Sequence, residues 1–216
     1  MESADRESRA GTPVTGPELQ ALVLLKECGA LKQGHFLLSS GLHSDRYCQC
    51  AALFEQPDSA GRVAELMTEC LPRDLHPHTI LTPAIGGILW GYELARALGC
   101  RSLFAERKPG EPFSLRRGFH LDKGERVLLA EDVITTGKSV MELVPLVEAA
   151  GAHLLGFAAI ADRSRGEFQP SQPVHSLVKL NFNVHKPEEC PLCREGQPLE
   201  KPGSREVQAA PPPAGQ

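Results

Sequence analysis

The sequence predicts an α/β fold in which a parallel sheet is flanked by helices, and three observations predict it. From residue 79 onward short apolar runs alternate with segments of helical period, glycines stop those segments at Gly99 and Gly151, and one apolar run ends in two acids and a Thr/Gly turn. Strand and helix alternating in this way build a parallel sheet covered on both faces. At 216 residues the chain is within the size that one hydrophobic core serves. One domain, residues 17–203, is expected between tails at 1–16 and 204–216 that are too polar or too proline-rich to offset the entropy of ordering.

The elements follow in order. Residues 17–28 carry apolar side chains at 19, 22, 23 and 25 with Gly29 as a stop, a helix signature. "HFLLSSG" and "DRYCQC" predict a small strand pair. Residues 58–71 predict a second helix, apolar at 63, 66, 67 and 70, with Asp58 as N-cap. "TILTPAIGGILWGYELARALG" reads as a strand, a tight turn and a helix from Ile88 to Gly99. "RSLFAE" and "RVLLAED" are the next strands. A helix over 139–150 is expected to kink at Pro145, and "HLLGFAAIA" and "HSLVKLNF" supply the last strands. No internal repeat of fixed period is present.

Composition excludes several classes. The hydrophobic content of 41% and charged content of 23% are ordinary for a globular protein, and a net charge of −4 gives no general reason to expect nucleic acid. No apolar run approaches the roughly 20 residues that cross a bilayer; residues 149–161 are interrupted by His153 and glycines. Seven scattered cysteines follow no secretory signal, so reduced thiols in a cytoplasmic compartment are expected. Cys190 and Cys193 have metal-ligand spacing but form half a site, with His185 as a conceivable third ligand and a redox pair as another option. Two small residues packing a turn is the expectation, with His35, His43, His120 and His153 in surface or packing roles.

The stretch "LLAEDVITTGKSV" ends like a nucleotide-binding phosphate loop, G-x-x-x-x-G-K-[ST]. The first glycine of that pattern should stand five residues before Gly137, where this chain has Asp132. A carboxylate there repels polyphosphate, so the nucleotidase reading fails. In an open parallel sheet, ligands bind at the carboxyl ends of the strands. There Glu131 and Asp132 suit the two O–H donors of a vicinal diol, and residues 135–139, turning into a helix, suit a phosphate. A ribose 5-phosphate satisfies both halves. The bland alternative, acids that merely solvate a sheet edge, does not explain the order of the parts.

"VLLAEDVITTGKS" closely resembles the phosphoribosyl-diphosphate (PRPP) signature of type I phosphoribosyltransferases. "GALKQGHFLLSSGLHSDRYCQC", "TPAIGGILWGYELARALG", "FAERKPGEPFSLRRGF", "ADRS" and "CPLCREGQPLEKPGSR" occur in the order and spacing seen in orotate phosphoribosyltransferases, a resemblance covering residues 18–205. It implies the type I phosphoribosyltransferase fold with a small N-terminal hood, a cytoplasmic homodimer, and Mg²⁺-dependent conversion of orotate and PRPP to orotidine 5′-phosphate and diphosphate in UMP synthesis. No membrane or nucleic-acid partner is implied.

Carried over residue by residue, the resemblance places Glu131 and Asp132 at the ribose hydroxyls and Thr135, Thr136, Gly137, Lys138 and Ser139 around the 5′-phosphate, with Val133 and Ile134 also in the PRPP site. Gly86 and Gly87 fall at the diphosphate. Arg107 and Lys108 match a basic pair at the diphosphate, and Arg116 and Arg117 sit in a long segment, 109–120, expected to act as a lid. Thr135 and Arg163 would meet orotate, the planar guanidinium suiting a carboxylate; a structural ion pair of Arg163 with Asp162 or Glu167 is the alternative. No residue binds metal directly, because Mg²⁺ arrives mainly on PRPP. Lysines common in the family are replaced by Ser39 and Gly86, and the usual lid lysine and histidine have no clean counterpart. Two other classes fit the signature. A purine transferase should lack the Asp162–Arg163 pair, and a non-catalytic PRPP-binding regulator should show a basic nucleic-acid surface.

Overall fold

The computed structural model describes residues 16–38 and 40–202. Both expected tails lie outside the described residues, except Gly16, which begins the first helix; Ser39 lies outside them too. In chain order the elements are α1 (Gly16–Glu27), β1 (Leu31–Leu37), β2 (His43–Cys48), α2 (Pro57–Cys70), β3 (Thr79–Pro83), α3 (Gly87–Leu98), β4 (Arg101–Glu106), β5 (Ser114–Leu115), β6 (Arg126–Ile134), α4 (Lys138–Met141), α5 (Val144–Ala149), β7 (His153–Asp162), β8 (Val174–Lys179), β9 (Val184–His185) and α6 (Pro191–Arg194).

The larger sheet has six strands in the order β5-β4-β3-β6-β7-β8, parallel except for the short edge strand β5. Alternation along each strand sends successive side chains to opposite faces. Ile80, Leu128, Ala130, Ala158 and Ile160 pack on one face against Leu25 of α1, Leu66 and Met67 of α2, and Trp90 and Leu94 of α3. Leu81, Val127, Leu129, Phe157 and Ala159 pack on the other against Val140, Leu143 and Val147 of the α4–α5 region. A second sheet, β1-β2-β9, is antiparallel and forms the small hood.

Several elements differ locally from expectation. Gln56 occupies the N-cap of α2 and Pro57 its first turn, so Asp58 acts as an acid in that turn rather than as the cap. Proline lacks an N–H, and the expected helix 139–150 is divided into α4 and α5, with Pro145 in the first turn of the second. Helix α1 buries Ala21 and Leu25 and leaves Leu19 and Val23 exposed. The last predicted strand stops at Lys179, and the chain crosses to the hood as β9. His35 and His43, expected in packing or surface roles, are gathered with Cys190 and Cys193, while His185 is not in that group.

Helix α3 lies close on β3 because it lacks side chains where they meet. A Cβ on Gly87 would stand 3.0 Å from Thr82 Cβ and 3.5 Å from the Ala130 carbonyl oxygen, and one on Gly91 would overlap Thr82 Cγ2. At the opposite end of the sheet the buried carboxylate of Glu125 accepts from the Thr79 hydroxyl, from Arg101 at 2.8 Å and from the Asp122 amide at 2.7 Å, tying together the starts of β3, β4 and β6. Gly91→Ala should gain about 1 kcal/mol in helix propensity but lose about 1–3 kcal/mol to overpacking. Net destabilisation is expected, read as a lower denaturation midpoint.

Candidate active site

The site lies where β3 and β6 part. After β3 the chain goes over one face through α3 to β4; after β6 it goes over the other face through α4 and α5 to β7. This is the topological switch point at which open α/β sheets bind ligands. The β3–β6 ladder ends at Leu81↔Leu129, whereas β6–β7 continues to Ile134↔Asp162. Glu131 and Asp132, expected at the tip of the strand, therefore sit inside it, on a stretch paired only on its β7 side.

Both carboxylates are half-buried. Burial and the neighbouring charge of Asp132 push the Glu131 carboxyl up to about 7, against a smaller opposite effect from the Ser139 hydroxyl. Burial also raises Asp132, with backbone amides partly offsetting it. Among the described residues neither acid has a cationic side chain within 4.0 Å. A buried acid pair without a counter-charge favours donors brought by a ligand: sugar hydroxyls, or a divalent cation carried with them.

Two loops enclose the pair. Gly86 faces Asp132 so closely that a Cβ there would stand 3.5 Å from Asp132 Oδ1, and the preceding Ile85 is 86% exposed. On the other side Ile134 is buried and Val133 half-buried, while Thr135, Thr136 and Lys138 are exposed. Gly137 takes a left-handed conformation (φ 71°) with the Phe168 ring filling the space a side chain would need. The Lys138 amide donates to Thr136 Oγ1 at 3.3 Å, and the Ser139 hydroxyl turns toward Glu131.

The basic residues are not equivalent. Arg107 pairs with Glu142 and lies 4.5 Å over the Phe113 ring, and Lys138 approaches the same Glu142 at 3.9 Å. Lys108 is exposed and 3.8 Å from Glu111. Segment 109–120 carries β5 and is anchored by buried Phe113 and by Phe119 stacked edge-on to Phe104. Arg117, at φ 58°, makes a two-pronged bond to Glu106 at 2.7 and 2.9 Å. Arg116 is exposed, with no carboxylate within 4.0 Å among the described residues.

Arg163 stands one residue beyond the end of the β6–β7 ladder, its amide donating to the Ile134 carbonyl at 2.8 Å. Its guanidinium lies 4.9 Å over Phe182 and near Tyr47 and Cys48 of the hood. No acid of the described residues pairs with it: Asp162 instead accepts from the Ser164 amide at 2.8 Å. Burial disfavours the Arg163 charge, so an anionic ligand would relieve a cost already present. The hood reaches β6 here, Cys50 Sγ lying 4.0 Å from the Asp132 carbonyl oxygen and 3.7 Å from Cys48 Sγ. Glu106, Glu142, Phe168 and Phe182 shape this site and were not singled out from sequence. Of these only Glu142 had a local signal, four residues after Lys138 on one helical face.

The phosphoribosyl transferase domain family matches residues 49–192. Curated relatives include the orotate phosphoribosyltransferase of Caldanaerobacter subterraneus subsp. tengcongensis, 45% identical over 87% of this chain and 98% of that one. The orotate phosphoribosyltransferase of Thermotoga maritima is 48% identical over 84% and 96%. Among solved structures, orotate phosphoribosyltransferase from Aeropyrum pernix superposes with a TM-score of 0.64 at 26% identity, over 74% of this chain and 93% of that one. Adenine phosphoribosyltransferase from Thermoanaerobacter pseudethanolicus shares the fold, with a TM-score of 0.54 at 17% identity over 62% and 88%.

The raised Glu131 carboxyl carries a pH signature. An acid whose folded value lies above its unfolded one loses stability as pH rises from the ordinary carboxylate range through about 7. Between about pH 5 and pH 8 the ligand-free protein should lose stability relative to Glu131→Gln. Parallel denaturation midpoints for the two proteins across that range would show Glu131 to be ionised without strain.

Proposed function

The chain belongs to the orotate phosphoribosyltransferases, pentosyltransferases that move ribose 5-phosphate from PRPP to orotate in pyrimidine nucleotide synthesis, and from that premise we propose how its own residues carry the reaction. The observation that carries the assignment is a pair of sites uncompensated among the described residues: an acid pair with no cation within 4.0 Å at the switch point, and a half-buried arginine with no acid partner one residue past the adjoining ladder. A ligand with a diol at one end and a planar carboxylate at the other completes both.

Glu131 and Asp132 accept from the ribose 2- and 3-hydroxyls, and residues 135–139 hold the 5′-phosphate with Thr135 close to the base. Glu131 and Asp132 would be the residues to hold a Mg²⁺ carried in on PRPP, which when bound would supply positive charge for the departing diphosphate. Orotate nitrogen attacks the anomeric carbon as the carbon–oxygen bond to diphosphate breaks, the bonding pair leaving with diphosphate. Because charge builds on the sugar and on the leaving group, preorganised electrostatics matter more than a nucleophile. The proton of the attacking nitrogen passes to solvent or to the departing diphosphate, and no side chain is assigned as general base.

Gly86 and Gly87 let backbone approach the diphosphate. Arg107 reaches it by exchanging Glu142 for phosphate oxygens, with Lys108 beside it. Arg116 is the lid cation, while Arg117 holds the hairpin to β4 through Glu106. Arg163 grips the orotate carboxylate, and Phe182 holds the guanidinium plane. Homodimer formation is supported by an exposed apolar strip on and before α3, comprising Ile85, Leu89 and Tyr92, next to the site. A cytoplasmic setting is supported by the free cysteines, and no described helix is long and apolar enough to cross a membrane.

Arg163→Ala should raise the Michaelis constant for orotate roughly 10- to 100-fold with little change for PRPP, the size expected for one charge-assisted contact. Arg163→Lys should not restore it, because one ammonium cannot reproduce a planar fork. Equal loss for both substrates, or loss of melting temperature alone, would remove Arg163 from the base site. Asp132→Asn should lower kcat/KM for PRPP by roughly 10- to 100-fold in a folded protein; unchanged turnover would reject the ribose role. Steady-state assays should also separate the lid arginines: Arg116→Ala loses turnover at unchanged melting temperature, whereas Arg117→Ala becomes more sensitive to proteolysis within 107–120.

A further inference from the structure

Away from the active site, four potential metal ligands converge. Their nearest atoms, from His35, His43, Cys190 and Cys193, lie within 4.8 Å of one another. His35 Nε2 is 3.5 Å from Cys190 Sγ, 3.6 Å from Cys193 Sγ and 2.9 Å from His43 Nδ1, and Cys193 Sγ is 3.2 Å from His43 Nδ1. With Zn–S bonds of about 2.3 Å and Zn–N bonds of about 2.0–2.1 Å, the edges of a tetrahedral Cys2His2 shell come to roughly 3.3–3.8 Å. Three of the four distances fall at or close to that range. The imidazole pair is the shortest of the four and must open by a few tenths of an ångström, and the two remaining edges, both to Cys190, lie within 4.8 Å.

Hydrogen bonding alone leaves this cluster frustrated. His35 Nδ1 lies 2.9 Å from the Gln197 carbonyl, which can only accept, so the ring proton sits on Nδ1 and the Nε2 lone pair faces inward. Three groups then crowd one lone pair, in a place where His35 is 3% exposed, His43 5% and Cys190 fully buried. A cation that accepts from all four resolves the conflict, and a backbone carbonyl holding the far nitrogen of a ligating histidine is the usual outer-shell arrangement. Two thiolates balance a divalent charge, which removes the cost of burying it.

The backbone builds the site from both sides. The β1–β2 ladder shifts register between Gln33 and Phe36, so that Leu37 pairs with His43. In strand parity that shift puts His35 and His43 on the same face; in the unshifted register they would point to opposite faces. Cys190 stands at the N-cap of α6 and Cys193 within its single turn, which is closed by the Gly196 amide donating to the Cys193 carbonyl with Gly196 at φ 70°. The chain then runs along β1, the Glu200 amide donating to the His35 carbonyl and the Leu37 amide to the Glu200 carbonyl, each at 2.8 Å.

We propose that His35, His43, Cys190 and Cys193 bind one structural Zn²⁺ that staples the C-terminal segment to the hood. Two sulfur and two nitrogen donors in a closed tetrahedron select zinc among the common divalent ions and leave no position for substrate. The test uses the full chain purified from zinc-supplemented cells. Elemental analysis should find one equivalent of zinc per chain, and cobalt substitution should give the thiolate charge-transfer and intense visible bands of tetrahedral Co²⁺. Cys193→Ser and His43→Gln should each lose the equivalent and melt at a lower temperature, while Cys70→Ser, outside the cluster, keeps it. Should the variants fail to fold, titrating the wild-type thiols with a mercurial and reading zinc release with an indicator dye gives the same answer. Zinc absent from the wild type together with no cobalt–thiolate band, a Cys190–Cys193 disulfide in the purified protein, or full zinc retention in folded Cys193→Ser would each overturn the proposal.

Discussion

The parting of β3 from β6 is the constraint on which the rest of the structure depends. Up to Leu81 and Leu129 the two strands bond to each other; beyond that point β6 is paired on its β7 side only, and the two following connections leave over opposite faces. The gap admits a ligand because the loop entering it turns a glycine toward the acids and its one large side chain, Ile85, toward solvent. Gly86 approaches the Asp132 carboxylate, and Gly87 and Gly91 let α3 settle onto Thr82 without pushing the loop outward. Anchoring at the far end of the sheet, where Glu125 joins the starts of three strands, keeps the divergence at the carboxyl end alone.

Charge is distributed around that gap in a way that favours an occupied site. Two of the cations near it are paired within the chain, Arg107 with Glu142 and Arg117 with Glu106. Glu131, Asp132 and Arg163 have no ion-pair partner among the described residues, and all three are shielded from water enough for burial to oppose their ionised forms. Leaving both signs uncompensated costs stability in the empty protein and returns it as affinity when a ligand supplies hydroxyls and a carboxylate at the right separation. Arg107 occupies an intermediate position, because an exposed pair with Glu142 is worth little and is readily exchanged for phosphate.

What could be read in the sequence was local. Two apolar residues, two acids, two apolar residues and a hydroxyl-rich turn form one contiguous strand, loop and helix start, so their order alone placed the acids and the phosphate loop together. Arg116 and Arg117 looked alike because they are neighbours; what separates them is Glu106, on the adjoining strand. That Arg163 has no acid partner among the described residues depended on Asp162 turning to the Ser164 amide, and the platform beneath it on Phe182, which arrives after another strand. Pro145 was visible, but whether it bends a helix or starts a new one is decided by the packing of Leu143 and Val147 on the sheet.

The hood shows how a single residue of register can stay hidden and still matter. His35 and His43 are eight apart, and their relation depends on whether the hairpin between them is regular or bulged; composition carries no trace of that choice. Once the register has shifted, β2 has defined business at both ends. Its first residue, His43, faces the C-terminal cysteines, and its last, Cys48, lies beside Arg163 and against Cys50, which contacts the backbone of Asp132. A strand of this length spans about 17 Å and is stiff along its axis. Fixing its outer end against the turn of residues 190–196 therefore limits how far its inner end can move over Arg163 and Asp132. A segment remote from the chemistry in sequence thus contributes to holding the chemistry in place.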